Sequence, residues 1–154
     1  MTRIIFTLAF FLGLVNCVLW HPQPLYKTNS NDPVTNLINY EREKEELQLL
    51  EENEMLITSA TVKACDIRDE GYFAHTAPNG ETPWDLIKEA GYVYAFAGEN
   101  LARGFLTDTL AMEGLMNSLE HRKNIMSIEY KEVGIGRCGD IIVQHFGILQ
   151  EEHD

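Results

Sequence analysis

Basic residues are scarce in this chain: 12 Lys and Arg stand against 24 Asp and Glu, a formal net charge of −12. Phosphate binding needs clustered cations, so this balance argues against a nucleic-acid partner or an anionic membrane surface. Long apolar runs are scarcer still. One extends from Ile4 to Val15 and on through Trp20, behind the cationic Arg3 and ahead of polar, Pro-containing sequence from His21 to Pro33. That is the layout of a secretory signal, and no later segment is apolar enough to span a bilayer. The chain has no helical H-E-x-x-H zinc motif, and none of its serines or three cysteines sits in a sequence that marks a nucleophile.

What is present suffices for one domain. A chain of 154 residues can bury roughly two thirds of its unfolded surface without covalent staples. We divide it into a signal peptide over 1–20, a linker over 21–33, a folded domain over 34–149 and an acidic tail over 150–154. Two alternatives stay open for the N-terminus. An uncleaved anchor is one, since the apolar run is at the lower edge of a spanning length. A lipoprotein signal ending at Cys17 is the other, although "LVNC" places the bulky Asn16 where a small residue is expected. Cys65 and Cys138 remain after cleavage, and in an oxidising compartment they can pair if the fold brings them close. The expected location is extracellular or periplasmic, with membrane contact only through an uncleaved or lipidated N-terminus.

Asp32 and Pro33 predict the start of a first helix running to about Glu46. The acidic stretch Glu41 to Glu54 reads as a solvated helix face. Leu56, Ala60, Ala64 and Ile67 recur at spacings of three and four, predicting a second helix that ends near Gly71. Thr82 and Pro83 open a third, stopped by Gly91. The Gly- and Ala-rich "VYAFAGENLARGF" is compatible with loop, strand or short helix. A further helix is expected from Thr109 to about Leu119, with His121 just past its end, and "KEVGIGRC" and "DIIVQHFGIL" flank a Gly139–Asp140 turn as a β-hairpin. Strands after helices suggest an α+β layered domain.

Three islands carry chemistry: His75 in "GYFAHTAPNG", Glu99 in "AGENLARGF" and His121 in "MNSLEHRKNI". Each alone has an ordinary reading as a loop or helix-end residue. Glu99 is the odd one, a carboxylate between Gly98, free to take unusual φ, and Asn100, whose amide can bind backbone. If the fold gathers the three, two imidazoles and a carboxylate can perform acid/base chemistry or hold a divalent metal.

The order "NYER" (Asn39 to Arg42), "GYFAHTAPNGETPWDLIKEAGY", "AGENLARGF", "MNSLEHRKNI", "EVGIG" and "VQHFG" resembles the CAP superfamily of cysteine-rich secretory, antigen 5 and pathogenesis-related proteins. The likeness is to its bacterial SCP-like extracellular branch and covers Val34 to Gly147. The resemblance implies an α-β-α sandwich with a small, mostly antiparallel sheet between helical layers, and a surface cleft. It also implies a cleft set in which His75, Glu99 and His121 take three of four positions, with Zn2+ on His75 and His121 as an option. The fourth position, acidic in eukaryotic members, is Ser118 here, which weakens any four-ligand cage. Leu115, Leu119 and Glu120 also depart from the bacterial pattern, and Glu120 is expected to face solvent.

The expected function is that of a secreted, monomeric, stand-alone domain whose cleft binds a lipid, a peptide or an envelope component, with or without a metal. Two alternatives stand beside it: a hydrolase of an envelope component, using Glu99 or a histidine as base toward water, and a non-catalytic module in which the three residues only hold loops together. Fold alone does not choose among them.

Overall fold

The computed structural model describes residues 30–151. The signal, anchor or lipoprotein assignments of 1–20, the linker over 21–29 and the last three residues of the acidic tail lie outside this range. Helices α1 (Pro33–Lys44), α2 (Glu54–Asp69), α3 (Pro83–Glu89), α4 (Asp108–Asn117) and α5 (Leu119–Ile125) surround strands β1 (Glu51–Glu52), β2 (Tyr94–Arg103), β3 (Glu132–Cys138) and β4 (Ile141–Leu149). The sheet order is β1-β3-β4-β2, with β1 parallel to β3 and the other pairs antiparallel. The α+β expectation and the sandwich both hold.

The helix starts follow their caps. The Asp32 side chain accepts from the Val34 amide, Asn53 accepts from Met55, and Thr82 and Asp85 form a reciprocal capping box ahead of α3. Gly71 and Gly91 take φ of +70° and +93° just beyond α2 and α3, where a side chain would be strained. One expectation needs correction. Helix α1 ends at Lys44, and Glu46 sits at φ 56°, so the acidic run is not one helix face. Its Arg42 is fully buried and donates to the carbonyls of Gln48, Ile125 and Ser127, while Glu52 accepts from Ser30, Asn31 and Asp32. The ambiguous "VYAFAGENLARGF" is a strand, because β2 pairs with β4 from Tyr94↔Leu149 to Arg103↔Ile141.

Strand alternation sends side chains to two helical layers. Ile142 and Phe146 of β4 join Val34, Ile38, Met112, Leu115 and Ile125 on the α1/α4/α5 side. Ile141 and Val143 join Ala60, Ala64 and Ile67 on the α2 side. Helix α2 lies against the sheet so closely that a Cβ on Gly134 or Gly136 would fall into its backbone at Leu56–Ile57 or Ala60–Thr61. Cys65 of α2 and Cys138 of β3 are disulfide-bonded, with Cα atoms 5.0 Å apart.

Candidate functional site

Glu99 lies on the edge strand β2, opposite His145 in the register with β4. Its side chain points to the α2 face, where it is 4% exposed. Gly98 beside it is ordinary strand backbone rather than a residue of unusual φ. The need for glycine there is room, since a Cβ would strike the Tyr130 hydroxyl. Asn100, on the opposite face, donates to the His121 carbonyl and to Gln144, and Asn124 of α5 donates to the Glu99 carbonyl. Thus "GEN" supplies one carboxylate to the α2 face and one amide that holds α5.

The carboxylate is the middle of a chain of hydrogen bonds. His75 Nδ1 is 2.6 Å from Glu99 Oε1, and His145 Nε2 is 2.9 Å from Oε2. On its far side His145 Nδ1 meets Ser59 Oγ of α2 at 2.8 Å. Ser59, His145 and Glu99 are buried, whereas the His75 side chain remains 58% exposed. The chain therefore runs from the core to one solvent-facing imidazole.

His121 approaches from the other helical layer. Ser118 has extended φ and ψ of −92° and 121°, which ends α4 and starts α5, so His121 sits in the first turn of a new helix rather than past the end of the old one. Burial, and then the charge of His75, push its imidazole below the ordinary value. Its ring makes no hydrogen bond to Glu99 or His75 among the described residues. Glu120 pairs with Lys123 in solvent, as expected. Ser118 contributes no side-chain cap to α5.

Two groups of the site are not among the residues singled out from the sequence as chemistry-bearing. His145 lies in "VQHFG", an island of the resemblance that also reads as hairpin, and its parity with Ile141 and Val143 aims it inward, so an inward-facing histidine in a strand is the available signal. Lys63 is fully buried on α2, donates to the Tyr72 hydroxyl at 2.8 Å, and Tyr72 in turn donates to Asp66. This ties the loop carrying His75 to α2. Burial pushes Lys63 down, with Glu99 and Asp66 opposing; burial and the Asp66 carboxylate push Tyr72 up.

Burial by itself would raise Glu99, but the hydrogen bonds from His145 and His75 outweigh it and hold the carboxyl below its ordinary value. The Glu99 hydrogen bond raises His75 against burial and the Lys63 charge. The pH dependence follows from these directions. A depressed carboxylate stabilises fully above its ordinary value of 4.5 and the contribution is lost as pH falls through the folded value; a raised imidazole stabilises fully below 6.5 and loses its contribution as pH rises through the folded value. The pair therefore contributes most between about 4.5 and 6.5. The fall in melting temperature caused by Glu99→Gln should be largest there, and a fall of the same size at every pH would contradict the pairing.

Among the described residues no group of three or more His, Cys, Asp and Glu is arranged to hold a metal ion, and no helix is long and apolar enough to cross a membrane. Both Glu99 oxygens are committed to imidazoles. The set fits two exposed-side imidazoles with a carboxylate behind one of them, not a closed cage.

Residues 35–142 match the cysteine-rich secretory protein family. The uncharacterized protein YkwD of Bacillus subtilis (strain 168) is 39% identical over 115 residues, 73% of this chain and 45% of that protein. The uncharacterized membrane protein YlbC of the same strain is 28% identical over 120 residues, 78% of this chain and 35% of that protein. The chain thus spans less than half the length of these two relatives. Among solved structures, an extracellular protein containing a SCP domain from Bacillus anthracis str. Ames matches with a TM-score of 0.72 and 28% identity, over 74% of this chain and 38% of that one. An outer surface protein from Borrelia burgdorferi shares the fold, with a TM-score of 0.72 and 24% identity, over 76% of this chain and 90% of that one.

Proposed function

Because the chain belongs to the cysteine-rich secretory protein family, we propose that it is an exported ligand-binding protein whose ligand meets His75 and His121. The observation that carries this reading is the exposed His75 imidazole backed by a buried carboxylate at 2.6 Å, an arrangement that orients a ring toward something outside the protein. Export is supported by the Cys65–Cys138 disulfide, which persists in oxidising compartments, and by similarity to proteins described as extracellular and outer-surface.

A divalent cation such as Zn2+ fits as the ligand, or as part of it. His75 through its outer nitrogen and His121 would hold it, Glu99 would orient His75, and water or a second ligand would fill the remaining positions. When bound, such an ion supplies a Lewis acid at the protein surface. With two protein donors the affinity should be modest. Calorimetric titration with Zn2+ should give saturable heat in the wild type, and His75→Ala combined with His121→Ala should remove it. No heat in the wild type, or heat unchanged in the double variant, would sink the metal reading.

The same pair also favours a second reading, a hydrolase in which a histidine takes a proton from water. With both Glu99 oxygens engaged, His75 rather than Glu99 is the available base. Glu99→Gln separates the readings: it abolishes turnover in a hydrolase, alters affinity in a binder and mainly lowers the melting temperature in a scaffold.

A further inference from the structure

Ser59, His145 and Glu99 form a buried row ending at the exposed His75, and the hydrogens along it can be assigned from the chemistry of the atoms. An ionised carboxylate only accepts. Each imidazole atom facing Glu99 therefore carries a hydrogen: Nε2 of His145 and Nδ1 of His75. Ser59 makes this compatible with a neutral His145, because its hydroxyl lies within reach of two acceptors, His145 Nδ1 at 2.8 Å and the Leu56 carbonyl at 3.1 Å. Turned to the ring, it supplies the hydrogen that Nδ1 lacks. Turned to Leu56, it leaves its oxygen to accept from Nδ1.

From this geometry we infer that His145 is a positioning residue for the ligand site: by donating to one Glu99 oxygen it commits the other to the His75 Nδ1 hydrogen, so that His75 presents the Nε2 lone pair outward. Without His145, Glu99 Oε2 sits in a place closed to water with no donor. The carboxylate, no longer held from that side, swings to find another donor and leaves the plane that faced His75. With its partner displaced, Nδ1 no longer holds the ring hydrogen, which moves to Nε2 and turns the outward atom from acceptor to donor. A group two bonds of the row away from solvent thereby decides what the surface imidazole can bind. The inference rests on the reading of His75 as the ligand-contacting group only for its consequence; the tautomer itself does not depend on any ligand.

The test is a long-range 1H–15N spectrum of the His75 ring, recorded at a pH alkaline enough for the imidazole to be neutral, on variants whose near-UV circular dichroism matches the wild type. The wild type should show the Nδ1–H tautomer. His145→Leu should shift the population to Nε2–H, and His145→Met, which fills the space with a more adaptable chain, carries the same expectation if the leucine variant does not fold. His145→Gln, whose side-chain amide can donate to the same oxygen, should restore the wild-type pattern. In parallel, Zn2+ affinity should fall about 10-fold in the apolar variants, the lower end of the usual effect of removing an outer-shell partner, and recover in His145→Gln. A wild-type ring in the Nε2–H form, or a tautomer unchanged in a folded apolar variant, overturns the inference. A wild type that binds no Zn2+ overturns the metal reading alone, and the spectrum still decides the role of His145.

Discussion

Gly136→Ala should destabilise the domain by at least about 3 kcal/mol, the upper end of the usual cost of overpacking a core. The reason is the nature of the obstacle. The added methyl would meet the Ala60 carbonyl and the Thr61 amide, which are helix backbone and cannot rotate away. Either α2 lifts from β3 or the strand bends, and both movements open the core made by Ala60, Ala64, Ile67 and Val143. For a domain of this size the loss corresponds to a fall in melting temperature of roughly 10 °C. Gly134→Ala meets Leu56 and Ile57 in the same way and should behave alike. A melt within two or three degrees of the wild type, read by calorimetry, would contradict the close seating of the helix.

The same seating reaches the candidate site. Gly134 pairs with His145 across the hairpin, and Ser59 lies on the turn of α2 between the two glycine contacts at Leu56 and Ala60. Only with the helix this near the sheet does the short serine side chain touch the His145 ring. Folded material recovered from either glycine variant should therefore lose that contact as well as stability.

This dependence explains what is legible in the sequence. Helix starts are local, and Asp32, Asn53 and Thr82 signal them with their own side chains. The hairpin is legible because Gly139 and Asp140 are a two-residue turn between apolar runs, with Cys138 paired to Ile141. By contrast β2 owes its conformation to a partner 38 to 55 residues away, so its Gly- and Ala-rich sequence leaves loop, strand and helix open. The α4/α5 break is hidden because Ser118 makes it without glycine or proline. The two-residue β1 is too short for any period to show.

At the site, His75 and Glu99 stand out as islands of unusual composition, and the structure joins them directly. His121 stands out too, but the structure brings it from the opposite helical layer, through the Asn100 and Asn124 contacts that hold α5 to β2. Ser59 and Lys63 carry no local mark, and His145 is marked only as a member of "VQHFG". Ser59 and His145 look like ordinary helix and strand residues until the packing of α2 on β4 pairs them, and Lys63 finds its partner in Tyr72 of the following loop.

The second large effect should come from the disulfide. Cys65 and Cys138 are 73 residues apart in sequence, and closing a loop of that length removes denatured-state entropy worth about 4 kcal/mol in the chain-entropy account. Cys65→Ser combined with Cys138→Ser should lower the urea midpoint by about 2 M, taking a denaturant slope of about 2 kcal/mol per molar. The bridge joins the C-terminal half of α2 to the turn end of β3, whereas Ser59, in the first half of α2, meets His145 of β4 farther from that turn. Loss of the bridge acts mainly on the unfolded chain and leaves α2 seated on the glycines of β3 in the native state. Hence the serine pair, in the absence of denaturant, should keep the wild-type His75 tautomer and Zn2+ response while unfolding far more readily. A midpoint shift below about 0.5 M would mean that the unfolded chain is already compact enough to make the bridge redundant. An altered His75 ring in the folded double variant would instead show that the bridge holds α2 in register against the sheet.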